Sequence, residues 1–121
     1  MRFEVGDMRT LNVDDRTIGG MVAFYSLIHI PRDDVPNVLR EFARVLVPSG
    51  RMLVAVHGGS GTISRQEFLG KAVPFEATLF DRDELVSLVE SVGFEVTAAT
   101  VRPPYEFESQ TPRLYVSATR V

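Results

Sequence analysis

Two histidines are the side chains best suited to proton transfer in this sequence. His29 and His57 each follow a short apolar run of the kind that forms a buried parallel strand. Because parallel strands end at the same edge of a sheet, we expect both imidazoles on one rim, where a neutral imidazole can accept a proton from a reacting group. His57 is the candidate base. His29 is the weaker candidate, since it also fits a residue at the start of a helix that bonds to the backbone.

The polar residues that close the first apolar run are candidates for binding a ligand. Residues 21–25 form a continuous apolar run, and Tyr25 and Ser26 stand at its carboxyl end. Open α/β sheets bind their ligands at the carboxyl ends of the strands. For the neighbouring Phe24 and Leu27, packing in the core is the simpler interpretation.

The elements that would position these residues form a strand–helix–strand unit. The acidic stretch after Pro31 predicts the start of a helix, with Asp33 as its N-cap and an apolar stripe at helical spacing through residues 35–46. Residues 48–50 end that helix, and residues 52–56 form a second buried strand. This order fits a right-handed βαβ unit.

The second half of the chain predicts another helix and two more strands. Asp81 has the position of an N-cap for a helix up to residue 92, and Gly93 has that of the glycine that ends it. Residues 94–101 and 114–119 are predicted strands. Because only a loop joins them, the last strand should run antiparallel to its predecessor. A short helix is also expected over residues 64–70.

Composition sets the class of protein. The chain has 121 residues, which is one domain, and 45% of them are apolar, which excludes a disordered chain. A net charge of −3 gives no support to nucleic-acid binding, and no apolar run is long enough for a membrane span. Cys is absent, and two histidines alone make a poor metal site, so no metal is expected. A cytoplasmic domain is the default expectation.

Four segments resemble the class I S-adenosylmethionine-dependent methyltransferases, in their small-molecule branch. They are Gly6-Asp7-Met8, the run 22–27, the stretch Arg44-Val45-Leu46-Val47-Pro48-Ser49-Gly50, and Ser91-Val92-Gly93-Phe94. The family's Gly-rich cofactor turn and the acidic residue after its second strand are missing from this sequence, and Gly58-Gly59-Ser60-Gly61 follows the wrong strand to replace the turn. The chain therefore looks like the C-terminal half of a methyltransferase domain, with residues 1–121 as a single domain.

The resemblance implies a fold and a set of site residues. The family's sheet has the strand order 3-2-1-4-5-7-6, so we expect a truncated Rossmann-like α/β sheet, mostly parallel with an antiparallel C-terminal strand and helices on its faces. S-adenosylmethionine is the implied methyl donor. The implied contacts are Asp7 and Met8 for the cofactor's adenine, Tyr25 and Ser26 for its methionine part, His57 as base, and Phe75 and Tyr105 for the small-molecule acceptor.

Loss of the first two strands would leave the strand 21–25 at an apolar sheet edge. Such an edge is an association site. We expect either that residues 2–6 pair beside it or that two chains join there as a homodimer.

Three functions remain open at this point. The first is methyl transfer from S-adenosylmethionine to an O, N or C nucleophile of a small molecule, with this chain incomplete by itself. The second is a non-catalytic, truncated methyltransferase-like module that dimerises. The third is an α/β domain of another superfamily. Arg102 and Arg113 either bind an acidic acceptor or pair with Glu106 and Glu108, and pairing is the expectation.

Overall fold

The structure is a computed structural model that describes residues 8–59, 62–65, 75–103 and 112–121. Six strands and two helices follow one another in these segments. They are β1 (Ile18–Phe24), α1 (Val35–Val45), β2 (Leu46–His57), β3 (Thr62–Arg65), β4 (Phe75–Thr78), α2 (Arg82–Ser91), β5 (Phe94–Arg102) and β6 (Arg113–Arg120). Short 3₁₀ turns at Leu27–His29 and Arg32–Asp34 connect β1 to α1.

The main sheet has the order β1-β2-β6-β5. This is the 4-5-7-6 part of the order that the resemblance implies, and β6 runs antiparallel to β5 as expected. The expectation of a mostly parallel sheet is wrong. Because β6 lies between β2 and β5, it forms two antiparallel ladders, and only β1 and β2 pair in parallel.

The core lies on one face of this sheet. Alternate residues of β2 and β6 are buried there against α1 and α2, as the two-residue period of a strand requires. The largest side chains that this core buries completely are Phe80, Leu27, Leu39, Leu46, Met52, Leu85 and Leu114. Both helices of the described residues thus pack on the same face.

The opposite face, called the second face below, keeps exposed apolar side chains. Val22 and Phe24 of β1 are 62% and 54% exposed. Phe24 is therefore not a core residue, because its position in β1 points it away from the helices. A groove of about 650 Å³ crosses this face and is lined by residues of β1, β2, β5 and β6.

Two local predictions fail for identifiable reasons. Residues 62–65 pair with residues 75–78 in a small antiparallel sheet, so the helix expected from residue 64 does not start there, and residues 66–70 lie outside the described segments. Asp33 sits inside the 3₁₀ turn Arg32–Asp34, and Asp34 is the N-cap of α1, which therefore begins one residue later than expected. Residues 2–6, the expected pairing segment, also lie outside the described residues.

Candidate functional site

The carboxyl ends of β1 and β2 lie side by side because the two strands are parallel. Tyr25 directly follows β1, and His57 is the last residue of β2. The antiparallel β6 begins at the same rim with Arg113, which pairs with His57 on one side and with Arg102 of β5 on the other. The ends of the four strands β1, β2, β5 and β6 thus place polar side chains at the same rim of the sheet.

Tyr25 is held in an uncommon backbone conformation at this rim. Its φ is 56°, in the left-handed region, which L residues with bulky side chains rarely adopt. Its N–H donates to the carbonyl of Ala55 at 2.7 Å, which ties the turn to β2. The ring then lies against the imidazole of His57, with 5.3 Å between the ring centroids.

Arg113 fixes the protonation pattern of His57. The guanidinium Nη1 of Arg113 is hydrogen-bonded to Nδ1 of His57, and since a guanidinium can only donate, Nδ1 is the acceptor. A neutral His57 ring therefore carries its proton on Nε2. Arg113 is only 5% exposed, and its guanidinium carbon lies 5.8 Å from the centroid of the Tyr25 ring.

A second set of hydrogen bonds connects Tyr25 to Tyr115 of β6 and, through it, to Arg102 of β5. The hydroxyls of Tyr25 and Tyr115 are 3.3 Å apart, and Nη2 of Arg102 donates to the Tyr115 hydroxyl at 3.4 Å. Tyr25, His57, Arg102, Arg113 and Tyr115 together are called the rim cluster below.

The environment of the rim cluster raises the pKa of Tyr25. Partial burial of the phenol is the largest cause, and the hydrogen bond and charge of Tyr115 add to it. The positive charges of Arg113 and Arg102 act in the opposite direction without overcoming it. Tyr25 is therefore protonated at neutral pH and can donate a hydrogen bond.

The remaining predicted site residues have varied positions. Ser26 is half-buried and precedes the 3₁₀ turn without capping it through its side chain. His29 is exposed and lines a small cavity of about 200 Å³ with Ile28, Ile30, Pro31 and Thr78. Met8 packs against the core. Asp7 and Tyr105 lie outside the described residues, as does the side chain of Phe75.

The structure therefore brings Tyr25 and His57 together and adds three residues that the sequence did not assign to a site. Arg102 and Arg113 were expected to pair with Glu106 and Glu108, which lie outside the described residues. Tyr115 was not singled out at all. Alternation along the last strand was the available signal, because it places Arg113 and Tyr115 on the same face.

The described segments show neither a metal site nor a membrane-spanning helix. Within them, no cluster of three or more His, Cys, Asp or Glu side chains has an arrangement that could hold a metal ion. Neither α1 nor α2 has the length and apolarity needed to cross a membrane.

The sequence profile of a methyltransferase domain family matches residues 1–50. Among curated proteins, no sequence matches this chain. Solved structures match over nearly the whole chain. A SAM-dependent methyltransferase from Methanosarcina mazei is 18% identical with a TM-score of 0.86, and the match covers 98% of this chain and 66% of that one.

Two further solved structures show how varied proteins of this fold are. The 1,6-didemethyltoxoflavin-N1-methyltransferase of Burkholderia thailandensis, solved with S-adenosylhomocysteine bound, is 20% identical with a TM-score of 0.74, and the match covers 99% of this chain and 51% of that one. The cyclase SpnF is 14% identical with a TM-score of 0.72, over 98% of this chain and 56% of that one. The chain thus spans between half and two thirds of the length of these three proteins. It has the fold of SAM-dependent methyltransferases, and its first 50 residues match their domain profile.

Proposed function

We propose that this chain is part of a cytoplasmic class I S-adenosylmethionine-dependent methyltransferase that acts on a small molecule. The observation that carries the proposal is the rim cluster, which stands at the carboxyl ends of β1 and β2. Ligands of open α/β sheets bind at that end. The match of residues 1–50 to a methyltransferase domain profile supports the same reading. The fold alone does not indicate methyl transfer, since a cyclase shares this fold.

The chain's own residues divide between cofactor and acceptor. S-adenosylmethionine, when bound, supplies an electrophilic methyl group on its sulfonium. Asp7, Met8, Tyr25 and Ser26 are the residues we assign to holding it, and the phenol and serine hydroxyls suit its oxygen and nitrogen acceptors. The sequence has no Gly-rich turn after a first strand, so we propose that a further polypeptide segment or a partner chain contributes that part of the site.

Alignment of the acceptor is the main catalytic task that falls to the rim. Phe75 and Tyr105 are the residues we assign to packing against it. His57 is the proposed base for the acceptor's proton. Its Nδ1 already accepts from Arg113, so proton uptake at Nδ1 requires that hydrogen bond to break first. His29, in the 3₁₀ turn that follows β1, is the second choice.

Calorimetric titration of S-adenosylhomocysteine into the full chain tests the proposal, with the mass in solution measured in the same buffer. We expect a micromolar Kd if a second copy of this chain completes the cofactor site, and a Kd in the millimolar range for this chain alone if another polypeptide segment completes it. Ser26→Ala should weaken that binding by about fivefold, the equivalent of one hydrogen bond. The control Ser91→Ala changes an exposed serine at the end of α2 and should leave the Kd unchanged.

The second candidate is a non-catalytic module that dimerises through the β1 edge. The exposed apolar side chains of Val22 and Phe24 favour it. Absence of heat at millimolar S-adenosylhomocysteine together with a doubled mass would replace the first proposal with this one. Binding of the cofactor product would leave dimerisation as an added property of an enzyme.

A further inference from the structure

We propose that Glu41 and Arg44 are positioning residues for cofactor binding, because their side chains hold in place the segment that carries Met8. The inference rests on the proposed function, which assigns Met8 to S-adenosylmethionine. It deepens that function by naming two residues of α1 that act on the cofactor contact through Met8. Glu41 and Arg44 are called the α1 pair below.

The first argument is that a stretch without regular structure takes hydrogen bonds from two side chains of one helix. Residues 11–17 belong to neither a helix nor a strand, so their backbone groups need other partners. Oε2 of Glu41 accepts from the N–H of Leu11 at 2.6 Å, and Nη2 of Arg44 donates to the carbonyl of Leu11 at 3.0 Å. Both backbone polar groups of Leu11 are thus bonded to the α1 pair.

The second argument is that the α1 pair acts as one unit. Nε of Arg44 donates to Oε1 of Glu41 at 2.5 Å, and the Glu41 side chain is only 11% exposed. The same guanidinium donates to the carbonyl of Val13 at 2.8 Å and to the carboxylate of Asp15 at 2.5 Å. Loss of the arginine therefore removes every one of these bonds and also takes the cation away from a half-buried carboxylate.

Met8 is near enough along the chain to depend on these contacts. Its side chain and that of Leu11, three residues later, both pack against the core. Between them, Arg9 forms an ion pair with Asp34 at 2.8 Å. Loss of the α1 pair would therefore loosen this end of the segment without releasing it completely.

The third argument is that the two ends of the segment are held differently. At the β1 end, the N–H of Arg16 donates to the carbonyl of Arg44, and the N–H of Thr17 donates to the carbonyl of Val45, each at 2.9 Å. These backbone bonds do not need an arginine side chain at position 44. A substitution there should therefore displace Met8 and spare β1.

The test follows the side-chain methyl groups of Met8 and Met21 by NMR, in the full chain and during titration with S-adenosylhomocysteine. Met21 lies in β1 and also packs against the core, so it is an internal reference. Arg44→Gln should shift or broaden the Met8 resonance and leave that of Met21 unchanged. The variants Met8→Leu and Met21→Leu identify the two resonances.

The affinity of Arg44→Gln for S-adenosylhomocysteine should be about tenfold lower than that of the wild type. The apparent Kd rises as the fraction of molecules with Met8 in place falls, and a lost hydrogen bond to a charged group changes such a fraction by about a factor of ten. The initial slopes of the titrations give the ratio of affinities even where the Kd is millimolar.

Two control variants separate this role from a general effect on α1. Arg40→Gln removes another arginine of the same helix, one that bonds to Asn37 at 2.8 Å. Arg120→Gln removes a bond from Nε of Arg120 to the carbonyl of Ala43 at 2.8 Å, which loosens α1 from β6 at a point outside the segment. Both variants should keep the wild-type Met8 resonance and the wild-type affinity, whatever they do to the melting temperature.

A double variant tests whether the α1 pair is one unit. Since Glu41 and Arg44 bond to each other, Glu41→Gln combined with Arg44→Gln should lower the affinity by no more than about twofold beyond Arg44→Gln alone. Arg44→Lys keeps the charge but has fewer donors, so its affinity should lie between those of the wild type and Arg44→Gln. Losses that multiply in the double variant would contradict the shared role.

The inference and the proposed function fail in different ways. Equal affinity of S-adenosylhomocysteine for the wild type and Arg44→Gln overturns the positioning role and leaves the proposed function standing. A Met8 resonance that responds to Arg44→Gln no differently from that of Met21 has the same meaning. If S-adenosylhomocysteine at millimolar concentration does not bind the wild type, the proposed function is overturned and the inference falls with it.

Discussion

Arg44 shows how a residue of a sequence motif can have a structural task. It opens the stretch 44–50 on which the resemblance partly rests. Its guanidinium bonds to the carboxylates of Glu41 and Asp15, each at 2.5 Å, and to the carbonyls of Val13 and Leu11. One side chain of α1 thus holds the loop that leads into β1, and Tyr25 directly follows β1.

Glu41 makes this arrangement sensitive to acid. Its hydrogen bond from Arg44 is the main cause of a pKa below the ordinary value of 4.5, and the N–H of Leu11 at 2.6 Å adds to it. A depressed pKa in the folded state stabilises the protein above pH 4.5, and this contribution is lost as the pH falls through the folded pKa. We expect the melting temperature to fall by a few degrees more in the wild type than in Glu41→Gln over that range.

Thermal melts of the two proteins at neutral and acidic pH check this prediction. Glu90→Gln is the control, because it removes an exposed carboxylate from α2 and leaves the loop contacts intact. Parallel loss of stability in the wild type and in Glu41→Gln would show that this carboxylate is not linked to folding.

The site was predictable from sequence only in part, and the reason lies in how each residue is placed. Tyr25 and His57 follow apolar runs, so their position at a strand end can be inferred from local pattern alone. Arg113 and Tyr115 reach the rim cluster through the register between β6 and β2, which joins residues far apart in the chain. No local pattern encodes that register.

Elements followed local signals wherever those signals were strong. Asp81 caps α2 by accepting from the N–H groups of Asp83 and Glu84, and Gly93 follows the helix with a φ of 104°. The weaker helix signal that begins at residue 64 was overruled at residues 64 and 65 by pairing between β3 and β4, since a strand partner satisfies backbone groups that a short helix would leave open.

Gly93 gives a prediction at the scale of one element. A Cβ at this position would lie 3.1 Å from a guanidinium nitrogen of Arg120, in a backbone conformation that side chains disfavour. Gly93→Ala should therefore destabilise the fold by about 1–2 kcal/mol. Gly19→Ala is the matched control, because nothing lies within 4 Å of a Cβ there.

Urea denaturation of both variants gives the two free energies of unfolding. We expect the Gly19→Ala variant to stay within about 0.5 kcal/mol of the wild type, as for a surface substitution. Equal loss in both would mean that the end of α2 is not the sensitive point.

At the scale of the molecule, the second face is the main unexplained surface. Its groove and its exposed apolar residues lie opposite the helices, on a fold whose solved relatives are longer than this chain. The resemblance correctly implied the strand order, because that order depends on the family's topology. It did not show which side of the sheet the described helices would leave uncovered.

A substitution at Val22 tests whether two copies of the chain associate through β1. If they join through β1, Val22→Lys should convert a dimer into a monomer, since a charge at the interface would lose its water. Val121→Lys changes an equally apolar residue at the chain's end, 74% exposed, and should keep the wild-type mass. Analytical ultracentrifugation of the wild type, Val22→Lys and Val121→Lys measures the mass of each protein in solution. A monomeric wild type would remove the homodimer from consideration.

The place of β6 also constrains how the molecule is made. This strand lies inside the sheet, yet it comes after both of its neighbours along the chain. During synthesis, β5 has no partner in the main sheet until β6 has left the ribosome, so β1 and β2 are the only strands of the main sheet that can pair early. Until β6 emerges, the edges of β2 and β5 that will pair with it present unpaired backbone groups. A nascent chain in that condition is prone to aggregate or to need a chaperone.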